Sequence, residues 1–363
     1  MKYTLSKEDR PVYLQLYRQL RDDVVRGTFA HGERLPSKRL LADETGVSTI
    51  TVEHAYALLC EEGYAESRER SGYFIVFQPA DGFAAHAADE KRPAQPNPKL
   101  PAPDYPSFSV SILSRTMRRV LTENPEVLLQ KSPNPGCTEL RRAIQQYLAR
   151  NRGIRVEMDQ IVVGSGAEYL YRMIVDLLGR GRVYAIETPS YEKLEQIYRA
   201  AGAVCEHLPL AGDGIDSAAL SASQADVLHT TPYRSFPSGV TASASKRHEY
   251  IRWARRAGRF LIESDYGSEF SVSSQPMETL FALSEQDNVI YLNTFSRTVS
   301  PSMRIGYMVL PRQLTAPFQE KLGFYSCCVP SFEQYVLAEL IRSGDFERHI
   351  NRVRRSMRRA IKD

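Results

Sequence analysis

Cysteine is scarce, and the few present lack any structural spacing. Five of the 363 residues are Cys, namely Cys60, Cys137, Cys205 and the adjacent Cys327 and Cys328. That scatter matches neither a disulfide framework nor a zinc-ligand set, so they read as reduced thiols, mostly packing residues. Long apolar runs are missing too: no stretch reaches the roughly 18 residues that cross a bilayer. The start, MKYTLSKEDRPVYLQ, has no signal-peptide apolar core, so the expected location is cytoplasmic. A large charge excess is also missing. With 47 Lys/Arg against 43 Asp/Glu the formal net charge is +4, too little to declare a nucleic-acid partner by itself. There is no internal repeat and no coiled-coil heptad. What is present is ordinary globular composition, 42% hydrophobic and 25% charged, in a chain long enough for one small and one larger domain.

The distribution of charge says more than its total. Residues 1–78 carry 11 Lys/Arg and 12 Asp/Glu, so any DNA contact there must come from local clusters. The closing stretch ERHINRVRRSMRRAIKD holds seven Lys/Arg from Arg348 to Lys362 and reads as a solvated helix face. Residues 79–106, rich in Ala, Pro and Asp with little periodic apolar signal, read as a linker. From residue 107 to 363 helical patterns alternate with short apolar runs, QIVVG, VYAIE, ADVLH, RFLIE and NVIYL. That alternation predicts an α/β fold with a mainly parallel sheet.

Within residues 1–78 the pattern predicts a helix with Leu14, Tyr17, Leu20, Val24 and Val25 on one face, ended by Gly27. Ser37 can cap a second helix, Lys38–Glu44. Thr45-Gly46 forms a tight turn, and Ser48 or Thr49 caps a third helix over about Thr49–Cys60. That is a helix-turn-helix, with Val52, Ala55, Tyr56 and Leu59 inward and Thr49, Thr51, Glu53 and His54 outward. YAESRERSGYFIVF then makes two strands around Arg68–Gly72, a wing.

The segments LPSKRLLAD, GVSTITVEHAYALLCEEGY and RSGYFI, in this order and spacing, resemble the DNA-binding domain of GntR-family transcription regulators. The resemblance implies double-stranded operator DNA as partner. Arg39 can reach a phosphate or base edge, and Ser48, Thr49 and Thr51 offer hydroxyls at a helix N-terminus. Arg68 and Arg70, with Gly72 in the wing turn, suit the minor groove or backbone. Relatives often carry a basic residue where Thr49 stands.

Residues 107–363 resemble the fold-type-I aminotransferase domain of MocR-type GntR regulators. The landmarks are NPGCTELRRAIQQYLARNRGI, VVGSGAEYLYRMIVDLL, ETPSYEKL, TTPYRSFPSG, LIESDYGSEF and NTFSRTVSPSMRIGY. The resemblance implies pyridoxal phosphate as cofactor. Ser165, Gly166 and Ala167 at a helix N-terminus, with Ser296 and Arg304, would receive its phosphate. Tyr191 would stack on the ring, with Asp265 and Tyr266 nearby. Arg297 stands where the family has the lysine that bonds the cofactor. Ser264 stands where an acid pairs with the ring nitrogen, and Asp265, one residue on, should point to the other face. Arg234 and Ser235 replace a common His-Gln. By the same resemblance the chain stops at Asp363 short of the rest of the small domain.

These features predict a DNA-binding transcriptional regulator, a homodimer reading two half-sites. Its aminotransferase-like domain would sense a small effector or pyridoxal phosphate without covalent attachment and without enzymatic activity. A pyridoxal-phosphate aminotransferase is the rival reading, disfavoured by Arg297 and Ser264; a decayed fragment is the third.

Overall fold

A computed structural model describes residues 3, 5, 11–69, 71–78, 107–256, 258–272 and 278–362. The chain divides into two compact units, Met1–Leu100 and Pro101–Asp363. The segment 79–106, read as a linker, lies outside the described residues, as does Arg70.

The first unit comprises α1 (Val12–Val25), α2 (Lys38–Thr45), α3 (Thr49–Glu61), β1 (Ala65–Arg68) and β2 (Gly72–Ile75). Ser37 accepts from the Leu40 amide, and Gly46 ends α2 in the left-handed conformation at φ 67°. That region is open to glycine at no steric cost, and the chain turns there into α3. Ser48 caps α3 by accepting from the Thr51 amide. The three helices bury one core: Leu16, Tyr17, Leu20 and Val24 from α1, Leu41 and Ala42 from α2, and Val52, Ala55, Tyr56 and Leu59 from α3. The expected face of α1 is therefore rotated: Leu16 is fully buried, whereas Leu14 and Val25 are only partly covered. β1 and β2 pair antiparallel with Arg68 opposite Gly72. Arg34 makes an isolated antiparallel bridge to Phe74.

The second unit opens with α4 (Val110–Glu123), α5 (Pro125–Leu128), α6 (Thr138–Asn151), β3 (Ile161–Gly164), α7 (Gly166–Leu178) and β4 (Val183–Thr188). Next come α8 (Glu192–Ala200), β5 (Val204–Ala211), β6 (Gly214–Ile215), α9 (Ser217–Ala222), β7 (Val227–Thr230), α10 (Ala244–Ala254) and β8 (Phe260–Ser264). It closes with α11 (Leu280–Leu283), β9 (Val289–Thr294), β10 (Gly306–Val309), α12 (Arg312–Leu322), α13 (Ser331–Arg342) and α14 (Asp345–Lys362). The strands form one sheet in the order β3-β10-β9-β8-β7-β4-β5-β6. β4, β5, β7, β8 and β9 run parallel, and β10 lies antiparallel between β3 and β9.

Strands buried on both faces need apolar residues at successive positions, which is what QIVVG and NVIYL supply. One face packs Val162, Ile262, Ile290, Leu292 and Met308 against α7, α8 and α12. The other packs Val163, Tyr291, Tyr307 and Val309 against α6, α13 and α14, and Ala185, Leu228 and Leu261 against α10. At about 25 cal/mol per Å² of apolar surface, such double-sided burial is the main stabilising term. The parallel strands end together, and a crevice at their carboxyl ends is where an open α/β sheet places a ligand site. Among the described residues no helix is long and apolar enough to cross a membrane.

Candidate functional site

On the first unit the start of α3, expected to face DNA, is exposed. Thr49 is exposed and Ile50 is 63% exposed beside it. The Ser48 hydroxyl is occupied by the cap, 3.1 Å from the Thr51 amide and 2.9 Å from the Thr51 hydroxyl. α3 carries no Lys or Arg, and Glu53 is held by Lys38 at 3.1 Å. Besides Glu53, the groups exposed along the start of this helix are Thr49, Ile50 and His54, and an apolar side chain such as Ile50 suits a thymine methyl. Ile50 was not foreseen, because its apolar type suggests core. Arg39 is exposed.

On the wing, Arg68 pairs with Glu66 at 2.6 Å and lies 4.5 Å from the Phe74 ring centroid. Gly72 sits at φ 109°, where a Cβ would come within 3.0 Å of Arg34 Nε. Arg34 is thus a further exposed wing cation that strand pairing brings in, and sequence spacing gave no sign of it.

On the second unit a cavity of about 330 Å³ opens at the strand ends. β4 and its following turn supply Glu187, Ser190 and Tyr191; the turn after β7 supplies Thr231, Arg234, Ser235 and Phe236. His229 from β7, Ser264 and Tyr266 at the end of β8, and Thr294 and Ser296 at the end of β9 complete one side, with Ala167, Glu168, Tyr171 and Arg304 opposite. Of the residues expected here, Ala167, Tyr191, Tyr266, Ser296 and Arg304 converge on it. Gly166, at φ 80°, leaves space that a Cβ would take 3.1 Å from Arg304 Nη2, and half-buried Ser165 precedes it without a side-chain cap bond.

Asp265 does not join them, which corrects its place in the expected set. Its carboxylate is 2.6 Å from Arg152 Nη2 and accepts from the Tyr291 hydroxyl at 2.5 Å, among buried groups on the opposite face. The cause is strand alternation: Ser264 faces the cavity, 3.5 Å from the Tyr171 hydroxyl, so its neighbour must face away. Glu269 and Glu263 share that buried face. Burial, and next the charge of Asp265, push Glu263 up to about 8 and Glu269 up to about 7.

Arg297 turns aside from the lining. Its guanidinium carbon lies 5.3 Å from the Tyr266 ring centroid, a cation–π distance. Beneath it is Gly267 at φ 76°, where a Cβ would come 2.9 Å from Arg297 Cδ and Cζ and closer still to Nη1.

Three lining groups that sequence reasoning missed carry the electrostatics. Glu187 is fully buried and accepts from Thr230 and Ser235 hydroxyls at 2.5 Å each and from the Thr231 amide at 3.1 Å. Burial raises its carboxyl and these bonds offset part of the rise. His229 is pushed down to about 3 by burial, hence neutral, with the Tyr198 hydroxyl 2.6 Å from Nδ1. Glu168 meets the Tyr191 hydroxyl at 3.0 Å, Lys193 Nζ at 3.2 Å and Arg304 Nη2 at 3.4 Å. Partial burial raises its carboxyl, but the hydrogen bonds from Tyr191 and Lys193 outweigh that and hold it below the ordinary range. Only convergence of separate strand ends reveals this set; linear spacing does not. Arg234, also lining, adopts φ 48°, a conformation uncommon for a side-chain-bearing residue.

A capped helix-turn-helix with a wing, and a doubly covered sheet with a cavity at its strand ends, define a DNA-binding regulator fused to an aminotransferase-like unit. Residues 12–75 match the family described as bacterial regulatory proteins, gntR family, and residues 104–363 match aminotransferase class I and II. The chain belongs to the gntR family of transcriptional regulators, in the branch that carries an aminotransferase-like unit. It is 32% identical over 360 residues to the HTH-type transcriptional regulator YdeL of Bacillus subtilis, covering 97% of this chain and 78% of the relative. It is 30% identical to the probable rhizopine catabolism regulatory protein MocR of Rhizobium meliloti, over 96% of this chain and 75% of that protein. Among solved structures an archaeal alanine:glyoxylate aminotransferase superposes with a TM-score of 0.62 at 22% identity, over 68% of this chain and 64% of that one. That last likeness is one of fold.

Proposed function

We propose that the winged helix reads operator DNA while the aminotransferase-like unit binds a small effector non-covalently and does not transaminate it. In this reading two chains pair through the larger unit, each winged helix meeting one half-site, in the cytoplasm. Arg39, Thr49 and Thr51 meet the DNA from the helices, and Arg34, Arg68 and Arg70 from the wing.

The observation that carries the non-covalent part is the seat of Arg297. A guanidinium stays protonated and has no free amine lone pair to attack an aldehyde. Gly267 leaves the space this guanidinium fills, and Tyr266 supplies a ring face for it. Pyridoxal phosphate, the cofactor the family implies, fits in one part only. The Gly166 turn and Arg304 are donors of the kind an anion uses, although Glu168 already stands 3.4 Å from Arg304. The covalent part does not fit, since position 297 offers no amine and Ser264 presents a hydroxyl where a carboxylate would hold a ring N–H. Lys246 and Lys321 are no substitute, for each donates to a backbone carbonyl, Ile215 at 2.6 Å and Leu177 at 3.2 Å.

The test is borohydride reduction of the full chain mixed with pyridoxal phosphate, read by peptide mass, beside a turnover assay with an amino acid and a keto acid. The expected outcome is no stoichiometric lysine adduct and no turnover. A specific adduct at Lys193, Lys246 or Lys321, or turnover, favours the rival enzyme reading.

A further inference from the structure

We propose that Glu168 fills the anion seat of the cavity from within, so that the cavity takes an uncharged planar aromatic ligand in preference to the phosphate ester of the same ligand. This rests on the reading of the cavity as an effector site. The seat is formed where the first turn of α7 meets Arg304, against the space left by Gly166. In the aminotransferase-like frame an incoming anion would turn to the donors gathered there. Those donors already share one partner that belongs to the chain. Oε1 of Glu168 accepts from the Tyr191 hydroxyl and Lys193, and Oε2 faces Arg304. Glu168 is itself the third residue of α7, where a carboxylate complements the helix dipole.

The charges decide the consequence. Arg304 and Lys193 against Glu168 sum to +1, so a phosphate dianion would reverse the sign of the seat and face a carboxylate at close range. It could enter only by prising Glu168 from three donors. The rest of the cavity suits a ring without formal charge. Its mouth carries Tyr191, Tyr266 and Phe236, which are 37%, 43% and 63% exposed, and aromatic faces favour a planar partner. Its floor offers the hydroxyls of Ser264 and Tyr171 and the neutral ring of His229. Glu187, the other carboxylate, is already satisfied by its three donors. A volume of about 330 Å³ lies in the range of small-molecule sites.

The experiment is calorimetric titration of the full chain, and of Glu168→Gln and Glu168→Ala, with pyridoxal, pyridoxal phosphate and inorganic phosphate as probes. These separate the ring from its phosphate. Wild type should bind pyridoxal at least as tightly as pyridoxal phosphate. Both variants should gain about tenfold for pyridoxal phosphate and for inorganic phosphate, a gain that shrinks with added salt, while pyridoxal changes less than about twofold. Wild-type preference for pyridoxal phosphate by about tenfold or more, with the ratio unmoved in both variants, overturns the proposal. Heat from inorganic phosphate alone, with neither aldehyde bound by any of the three proteins, overturns it by a different route, because the effector reading of the cavity then fails first.

Discussion

The winged helix and the cavity, proposed to meet DNA and a small effector, hold their candidate residues in opposite ways. On the winged helix the candidate readers Arg39, Thr49 and Ile50 stand exposed above a closed apolar core. In the cavity Glu187, His229 and Ser264 are buried, each with a partner. A surface reader can be changed alone. A buried group changes only with its neighbour, because an unpaired polar group or a steric clash in the interior costs far more than a lost surface contact. Arg297 and Gly267 are such a close pair, since a Cβ at Gly267 would meet the Arg297 side chain.

The largest effect should come from position 297 itself. Wild type should give no borohydride-trapped adduct, Arg297→Lys a partial one, and Arg297→Lys with Ser264→Asp a fuller one, because the carboxylate tightens the ring nitrogen while lysine alone keeps its ordinary pKa of about 10.4. Equal trapping by all three would erase the contrast between the two regions. Next is Gly267→Ala, expected to cost about 2 kcal/mol from the positive φ and the clash with Arg297. Combining it with Arg297→Ala should recover about 1 kcal/mol of that loss in a thermal or denaturant melt. Strict additivity would mean the two are not matched.

On the winged helix the expected effects are smaller and independent. Arg39→Ala should weaken operator binding by several-fold and lower the salt slope by about 0.9, one phosphate contact. Arg68→Ala should do less, because Glu66 already takes much of that charge. A larger loss at Arg68 than at Arg39 would place the main contact on the wing. The smallest effect is in pH. Glu269 is raised to about 7 by burial and then by Asp265, so its folded form holds the proton more tightly than its unfolded form. That contribution is complete below the ordinary carboxyl pKa and is lost as pH climbs through about 7. The melting temperature should therefore fall from pH 5 to pH 8, and Glu269→Gln, which stays neutral, should flatten part of the fall by a few degrees. Glu263, raised to about 8, keeps the remainder. An unchanged slope in Glu269→Gln would put the titration elsewhere.

Much of this was legible in the sequence. Ser37, Gly46 and Ser48 act locally, so caps and turn could be read directly, and QIVVG, VYAIE, ADVLH, RFLIE and NVIYL each overlap a strand. The parity argument that turns Asp265 away from Ser264 also held, because alternation is a backbone property. Leu16 shows the limit, since the buried face of α1 is set by what α3 packs against it. Arg34, Glu168, Glu187 and His229 were not legible because strand pairing or strand ends bring them together across long separations. Gly267 stood in plain view, but its meaning needs the position of Arg297.

The antiparallel placement of β10 has an effect on how this site can change over time. Because β10 returns beside β9, the loop of residues 295–305 starts and finishes at one point, closed by the Phe295 amide on the Ile305 carbonyl at 2.9 Å. Ser296, Arg297 and Arg304 all ride on that ring. The sheet meets the entropic cost of closure whatever the ring carries, so residues inside it can be exchanged while every strand keeps its register. A substitution on this loop can therefore change what the cavity holds, in step with neighbours such as Ser264 and Gly267, without moving the sheet.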